Sequence, residues 1–379
     1  MIISQLDATP CDTLIIGAGP AGLAVGAALK QVGRGSIILE QGNAVGVAWR
    51  GHYERLHLHT AKAHSGLPFL PFPKDFPRYP SRLQVVNYLE AYARHFELQP
   101  RFGQRVVAAQ PVNGGWDVQT QDARYQAANL VIATGSNREP NLPSWPGQAA
   151  YRGVVMHSSQ YKNGAAFKNQ KVLVVGFGNS GGEIALDLWE QGAQPSLSVR
   201  SPVNVIPRDL FGIPIQTIAI LQSKLPPRLA DAVNAPVLRG VQGDLTRYGL
   251  RKLPHGAMTQ IQGQARIPLI DVGTLALIKR GQVSICAGIE SFTADGVRFS
   301  DGALRPFDGV ILATGYRARV NAFLEGAATT HDETGTPLTS GRETRLSGLY
   351  FCGYRTVSTG VLREIGIEAR RIGAAIGWK

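Results

Sequence analysis

Cysteine is scarce in this chain. There are three, Cys11, Cys286 and Cys352, far apart and in no CxxC or CxxxxC pattern. That excludes a disulfide scaffold, a four-cysteine zinc site and a dithiol redox pair, and no metal site is expected. No uncharged apolar run reaches the roughly 18 residues of a membrane span, so no transmembrane segment is expected. Met1 to Pro10 lacks a basic stretch followed by an apolar core, so it does not read as a signal peptide, and the cytoplasm is the expected compartment. Lysine and arginine form no runs and no nucleic-acid motif occurs, so no nucleic-acid partner is expected.

Apolar residues and glycine are plentiful. The 379 residues are 44% hydrophobic and 17% charged, which supports a large core divided into two or three units. The net charge is +12. Between Arg200 and Arg280, 11 basic residues face 4 acids, a surplus of 7 that suits a phosphate-bearing cofactor or an acidic substrate.

Thr13 to Ile16 reads as a buried strand. Gly17-Ala18-Gly19-Pro20-Ala21-Gly22 follows, then a helix from Leu23 to Val32, then a strand from Ser36 to Leu39 ending at Glu40. Gly17 allows the tight turn, Gly19 admits a pyrophosphate and Gly22 lets helix and strand pack closely. The helix N-terminus offers free N–H groups to the pyrophosphate, and Glu40 can accept both ribose hydroxyls. The pattern returns about 160 residues later. Lys171 to Val175 is a strand, Gly176-Phe177-Gly178-Asn179-Ser180-Gly181 the turn, Gly182 to Gln191 a helix and Leu197 to Val199 a strand. Where the first unit has Glu40, 23 residues after Gly17, the second has Arg200, 24 residues after Gly176. An acid repels a ribose 2′-phosphate and an arginine pairs with it. The second site therefore suits NADPH, with Arg208 as an accessory phosphate contact, and the first suits FAD. Asn179 and Ser180 can cap the second helix or touch the diphosphate.

Leu130 to Gly135 and Val310 to Gly315 are apolar strands that each end in Ala-Thr-Gly, placing Thr134 and Gly135 near a cofactor and marking points where the chain crosses between units. Gly348 to Gly353 is a strand that stops at a glycine before a helix from about Leu362 to Ile376, where Gly353 would approach a flavin ring. The expected fold class is α/β, two Rossmann-like dinucleotide-binding domains with the second inserted into the first. The FAD domain is 1–140 plus 286–379. The NADPH domain is 141–285, with a helical substrate-channel segment at about 205–265. Leu210 to Leu225, interrupted by Pro214, reads as a helical channel wall, with attachment to a membrane surface as the alternative.

Tyr151-Arg152-Gly153-Val154-Val155-Met156-His157-Ser158-Ser159-Gln160-Tyr161 resembles the identifying motif of the flavin-containing monooxygenases, with Tyr151 in place of the usual Phe. Arg55 to His59, Leu67 to Pro73, Tyr79 to Arg82, Tyr88 to Ala93 and Asp271 to Leu275 are similar to the YUCCA branch. The resemblance runs from about Thr13 to Lys379. It implies an FAD- and NADPH-dependent monooxygenase that uses O2 through a C4a-(hydro)peroxyflavin on an aromatic 2-oxo acid, indole-3-pyruvate to indole-3-acetate. It also implies Trp49 and Arg50 beside the ribityl chain or pyrophosphate, and His157 at the NADP site or domain junction. His59-Thr60-Ala61-Lys62 stands where typical members have Asn-Thr-Ser-Lys, so His59 and Lys62 are the candidates beside the reacting oxygen. The expected partners are a small substrate and O2, with a homodimer as the one assembly considered. Competing readings are N- or S-oxygenation, which needs no cation for a substrate carboxylate, a flavoprotein reductase serving a protein partner, and a nucleotide sensor.

Overall fold

A computed structural model describes residues 7–264 and 266–378. The expected first domain's residues 1–6, residue 265 of the expected channel segment, and Lys379 lie outside the described residues.

The first sheet is built around the strand Thr9–Ile16. It pairs in parallel with Ile37–Leu39 on one side and Arg124–Ile132 on the other. Val106–Val112 and Gly115–Thr120 extend it as an antiparallel meander, and Leu349–Phe351 adds in parallel to Arg124–Ile132. Helix α1, Pro20–Gln31, packs on this sheet. Helix α2, Arg82–His95, is begun by a capping box of Ser81 and Gln84 and buries Val85, Tyr88, Leu89 and Tyr92 beside α1.

The second sheet is wholly parallel. Its order is Ser284–Cys286, Gln194–Ser198, Lys171–Val175, Gly309–Leu312, Val154–His157. All four residues of Gly309–Leu312 are buried, as parallel strands covered on both faces must be. Helix α3, Asn179–Glu190, follows the second glycine turn.

The domain boundary expected at 286 is displaced. Gly309–Leu312 sits inside the second sheet, between Lys171–Val175 and Val154–His157. The antiparallel strands Ile289–Phe292, Gly296–Phe299 and Leu304–Pro306 place Phe292, Val297 and Phe299 in one core with Tyr151 and Leu173. The second unit therefore runs to about residue 315, and the return to the first unit follows the second Ala-Thr-Gly. The two crossings run side by side. Glu139–Pro140 pairs antiparallel with Tyr316–Arg317, Asn141 donates its N–H to the Gly315 carbonyl at 2.9 Å, and the Thr314 hydroxyl donates to the Asn141 carbonyl at 2.6 Å.

After Gln194–Ser198, and before the short helix Thr274–Lys279, the chain forms the helices α4, Ile215–Leu221; α5, Pro227–Gln242; and α6, Ala257–Gln264. The helix expected from Leu210 is shorter than its apolar pattern. Asp209–Leu210 and Ile213–Pro214 make a two-residue hairpin with Phe211 and Gly212 at its tip, and Pro214 is the N-cap of α4. Asp231 of α5 accepts the Met258 and Thr259 N–H groups at 2.9 and 3.0 Å, fixing the start of α6. Gln222 and Asn234 exchange amide hydrogen bonds at 3.0 and 2.9 Å and tie α4 to α5. Helix α7, Val361–Gly377, closes the chain against α1, where Gly373 lies so near Ala28 that a Cβ would stand 2.9 Å from the alanine's.

Candidate functional site

The two glycine turns have the same construction. A Cβ at Gly17 would lie 2.6 Å from the Ala133 carbonyl oxygen, and one at Gly176 would lie 2.7 Å from that of Ala313. Each first glycine is thus pressed against the Ala-Thr-Gly of its own unit, at φ +111° and +104°. A Cβ at Gly22 would stand 1.8 Å from the Gly17 carbonyl oxygen, and one at Gly181 2.0 Å from that of Gly176. The middle glycines, Gly19 and Gly178, face open space. Each is the N-cap of its helix, extended and without a side-chain cap, so the first N–H groups of α1 and α3 are left for a ligand. A diphosphate fits both cradles.

A cleft of about 1090 Å³ lies over the first cradle and reaches the second. Gly17, Gly19, Pro20 and Ala21 line it, as do Glu40, Trp49, Thr134, Gly135 and Gly353. Glu40 is buried and accepts the N–H groups of Ala18 and Gly42, each at 2.8 Å, which holds its carboxylate beside the turn. The Thr134 and Tyr354 hydroxyls hydrogen-bond at 2.8 Å. Burial pushes the Tyr354 phenol up to about 12. Gly353 donates its N–H to Glu368, whose carboxyl is raised, chiefly by burial.

His59 also lines the cleft. Its Nε2 is 2.5 Å from Oε1 of Glu183 on α3, so the histidine of the first unit is held by a carboxylate of the second. The other oxygen of Glu183 is buried without a hydrogen-bond partner among the described residues. Tyr53 lies against Glu183 and Ser180. Burial, then the neighbouring carboxylate, holds its phenol well above the ordinary value. Glu183 was not among the sequence candidates. It follows the Gly181-Gly182 pair, on the face of α3 that is otherwise buried, and a carboxylate there is the signal that could have found it.

Lys62 is placed elsewhere. Its ammonium donates to the carbonyls of Pro73, Lys74 and Phe76, and it lines a separate groove rather than the cleft. Arg50 donates to the Val45 carbonyl and pairs with Glu90, and it is not among the residues lining the cleft. The arrangement brings Trp49 and His59 to the cleft but neither Lys62 nor Arg50.

At the second cradle Asn179 and Ser180 line the cleft, and the Asn179 side-chain carbonyl accepts the Ile270 N–H at 2.7 Å. Arg200 stands exposed just beyond the strand Gln194–Ser198, with no ion-pair partner among the described residues. Arg208 instead lies 4.1 Å over the Tyr79 ring and 3.7 Å from the Asp209 carboxylate, so its guanidinium is engaged away from that strand end. His157 accepts the Ser159 N–H on Nδ1 at 3.1 Å. Its Nε2 therefore carries the proton and donates to the Gly315 carbonyl at 3.1 Å. Burial lowers its pKa, which suits this neutral form.

The far wall of the cleft is apolar, with Ile218, Leu238, Met258 and Ile261 from α4, α5 and α6. Arg239, Arg251 and Lys252 stand at its exposed margin. Among the described residues no group of histidine, cysteine or carboxylate side chains could hold a metal, and no helix is long and apolar enough to cross a membrane.

A family model described as pyridine nucleotide-disulphide oxidoreductase matches residues 14–208. A probable indole-3-pyruvate monooxygenase of Arabidopsis thaliana, YUCCA4, is 40% identical over 347 residues, 90% of this chain and 84% of that one. The indole-3-pyruvate monooxygenase YUCCA1 of Oryza sativa subsp. japonica is 42% identical over 319 residues, 83% of this chain and 79% of that one. A flavin-containing monooxygenase from Stenotrophomonas maltophilia shares the fold with a TM-score of 0.73 at 22% identity, over 97% of this chain and 99% of that one. An NADP+-bound cyclohexanone monooxygenase from Rhodococcus sp. Phi1 does so with a TM-score of 0.75 at 19% identity, over 98% and 85%. The two cradles, the fold and these identities lead to one conclusion: the chain belongs to the flavin-containing monooxygenase family, enzymes that work with FAD and NADPH.

Proposed function

We propose that this enzyme oxidatively decarboxylates an aromatic 2-oxo acid, converting indole-3-pyruvate to indole-3-acetate with NADPH and O2 in the cytoplasm. The observation that carries the reading is the 40% identity to an indole-3-pyruvate monooxygenase across 90% of the chain. The cleft supports it. An apolar wall suits an aromatic ring, and Arg239, Arg251 and Lys252 at the margin suit an anionic substrate better than a neutral amine or sulfide.

Gly17, Gly19, Pro20, Ala21, Gly22, Glu40, Trp49, Thr134, Gly135 and Gly353 hold FAD. Gly176, Gly178, Asn179, Ser180, Gly181 and Arg200 hold NADPH. When bound, the cofactors supply the hydride and the activated oxygen. The chain supplies position and dryness. α4 to α6 cover the site and limit water. Glu183 fixes the ring of His59 at the cleft, where it can hold or move a proton beside the substrate.

The test is to incubate the purified protein with NADPH, air and indole-3-pyruvate and to count indole-3-acetate formed per NADPH consumed. Near-stoichiometric product supports the reading, and NADPH consumption yielding hydrogen peroxide alone overturns the substrate. In the same assay His59→Ala should lower kcat by about 100-fold. Lys62→Met should leave kcat within about twofold and lower the melting temperature by about 2–4 °C, the loss of one loop anchor.

A further inference from the structure

Helix α5 has two working faces. Asn234, Ala235, Leu238 and Gln242 turn toward the cleft. On another face Leu229, Val233, Val237 and Val241, spaced four apart, are 50%, 56%, 38% and 47% exposed. Residues four apart lie on one side of a helix, so these four make a continuous apolar stripe. Ala232, Pro236 and Gly240, also exposed, fill its width, and Leu225 extends it one turn before the helix. Scattered exposed apolar residues need no explanation, but a row along one helix marks an interface.

Charge decides what covers it. From Leu221 to Gln242 the chain carries Lys224, Arg228 and Arg239 against the single acid Asp231. Asp231 is spent on the N–H groups that start α6. The three cations are exposed and make no ion pair among the described residues. Arg228 and Arg239 fall along one flank of the stripe by helical spacing, and Lys224 precedes it. A second copy of this chain would bring like charges together, on a molecule whose net charge is already +12. An apolar helical face bordered by free cations matches the boundary between acyl chains and acidic headgroups.

We propose that α5 is a peripheral docking helix that seats this enzyme on an anionic lipid surface, with the apolar stripe in the headgroup boundary and Lys224 and Arg228 on the lipid phosphates and carboxylates. The docked face is then the outer side of the cleft's own wall. This proposal does not depend on the identity of the substrate.

The experiment is co-sedimentation of the FAD-loaded enzyme with phosphatidylcholine vesicles and with vesicles enriched in phosphatidylserine, at low and high salt. Binding to the phosphatidylserine vesicles, released by salt, is expected. Val233→Glu together with Val237→Glu should lower the bound fraction by about tenfold or more, and Lys224→Glu together with Arg228→Glu should lower it at low salt. None of these four side chains lines the cleft, so flavin content, melting temperature and NADPH oxidation should stay at wild-type values. Absence of binding to either vesicle overturns the proposal, as does equal, salt-insensitive binding to both. Light scattering that shows a dimer split by the valine replacements also overturns it, because the stripe is then an interface between copies.

Discussion

The two dinucleotide cradles are nearly superposable in their constraints and opposite in their surroundings. A Cβ at either first glycine would stand 2.6 or 2.7 Å from the carbonyl oxygen of an Ala-Thr-Gly alanine, and one at either third glycine 1.8 or 2.0 Å from the carbonyl oxygen of the first. The difference begins at the end of the second strand. Glu40 is buried beside its turn and held by two backbone N–H groups, whereas Arg200 is exposed and unpaired among the described residues. Backbone packing makes a cradle for a diphosphate, and in the function proposed above Glu40 and Arg200 select which nucleotide enters each.

The largest test of this symmetry is Gly22→Ala against Gly181→Ala. Each puts a methyl group inside a carbonyl oxygen, a cost beyond about 4 kcal/mol unless the helix moves. Gly22→Ala should give protein without flavin colour. Gly181→Ala should stay yellow yet fail to be reduced by NADPH, and equal flavin loss from both would break the assignment of the cradles. A smaller effect is expected from Arg200→Ala. Loss of a charge-assisted phosphate contact should raise the KM for NADPH by about 10–100-fold while the KM for NADH changes little, as steady-state kinetics with both nucleotides would show.

The smallest effect concerns how each Ala-Thr-Gly is tied. The first is held through the Thr134–Tyr354 hydroxyl pair, with the phenol near 12, and does not titrate in the physiological range. The second is held by neutral His157, whose pKa is depressed by burial. The unfolded chain takes up this proton first as pH falls. The stability His157 lends is therefore complete above the ordinary histidine value of about 6.5 and is lost as pH drops below it. Melting curves between about pH 7.5 and 5.5 should fall more steeply for wild type than for His157→Gln, and equal slopes would remove His157 from this role.

Both cradles were legible in the sequence because they are local. A strand, three glycines and a helix need no distant partner to be recognised. The boundary at 286 was misplaced because Gly309–Leu312 finds its sheet through pairing with Lys171–Val175 and Val154–His157, far away in sequence. The second Ala-Thr-Gly carried the correct position of the crossing, and the strand pairing gives it weight. Lys62, Arg50 and Arg208 stand away from their expected places for a common reason. A long cation at a motif position goes to whatever acceptor the fold brings within reach, here three carbonyls, Glu90, and an aromatic ring beside Asp209. Glu183 was hidden because a carboxylate in a helix reads as a solvent face until the helix is packed.

The paired crossings at Glu139–Pro140 and Tyr316–Arg317 have a mechanical consequence. Two strands paired across one ribbon hold the two crossings at one spacing and direction. The junction is set at more than one place, because the His59–Glu183 contact, the Arg55–Glu190 ion pair and the core that Tyr53 and Leu56 share with Tyr161 and Val172 also join the two units. The angle between the two nucleotide sites is thus fixed by contacts drawn from different parts of the chain.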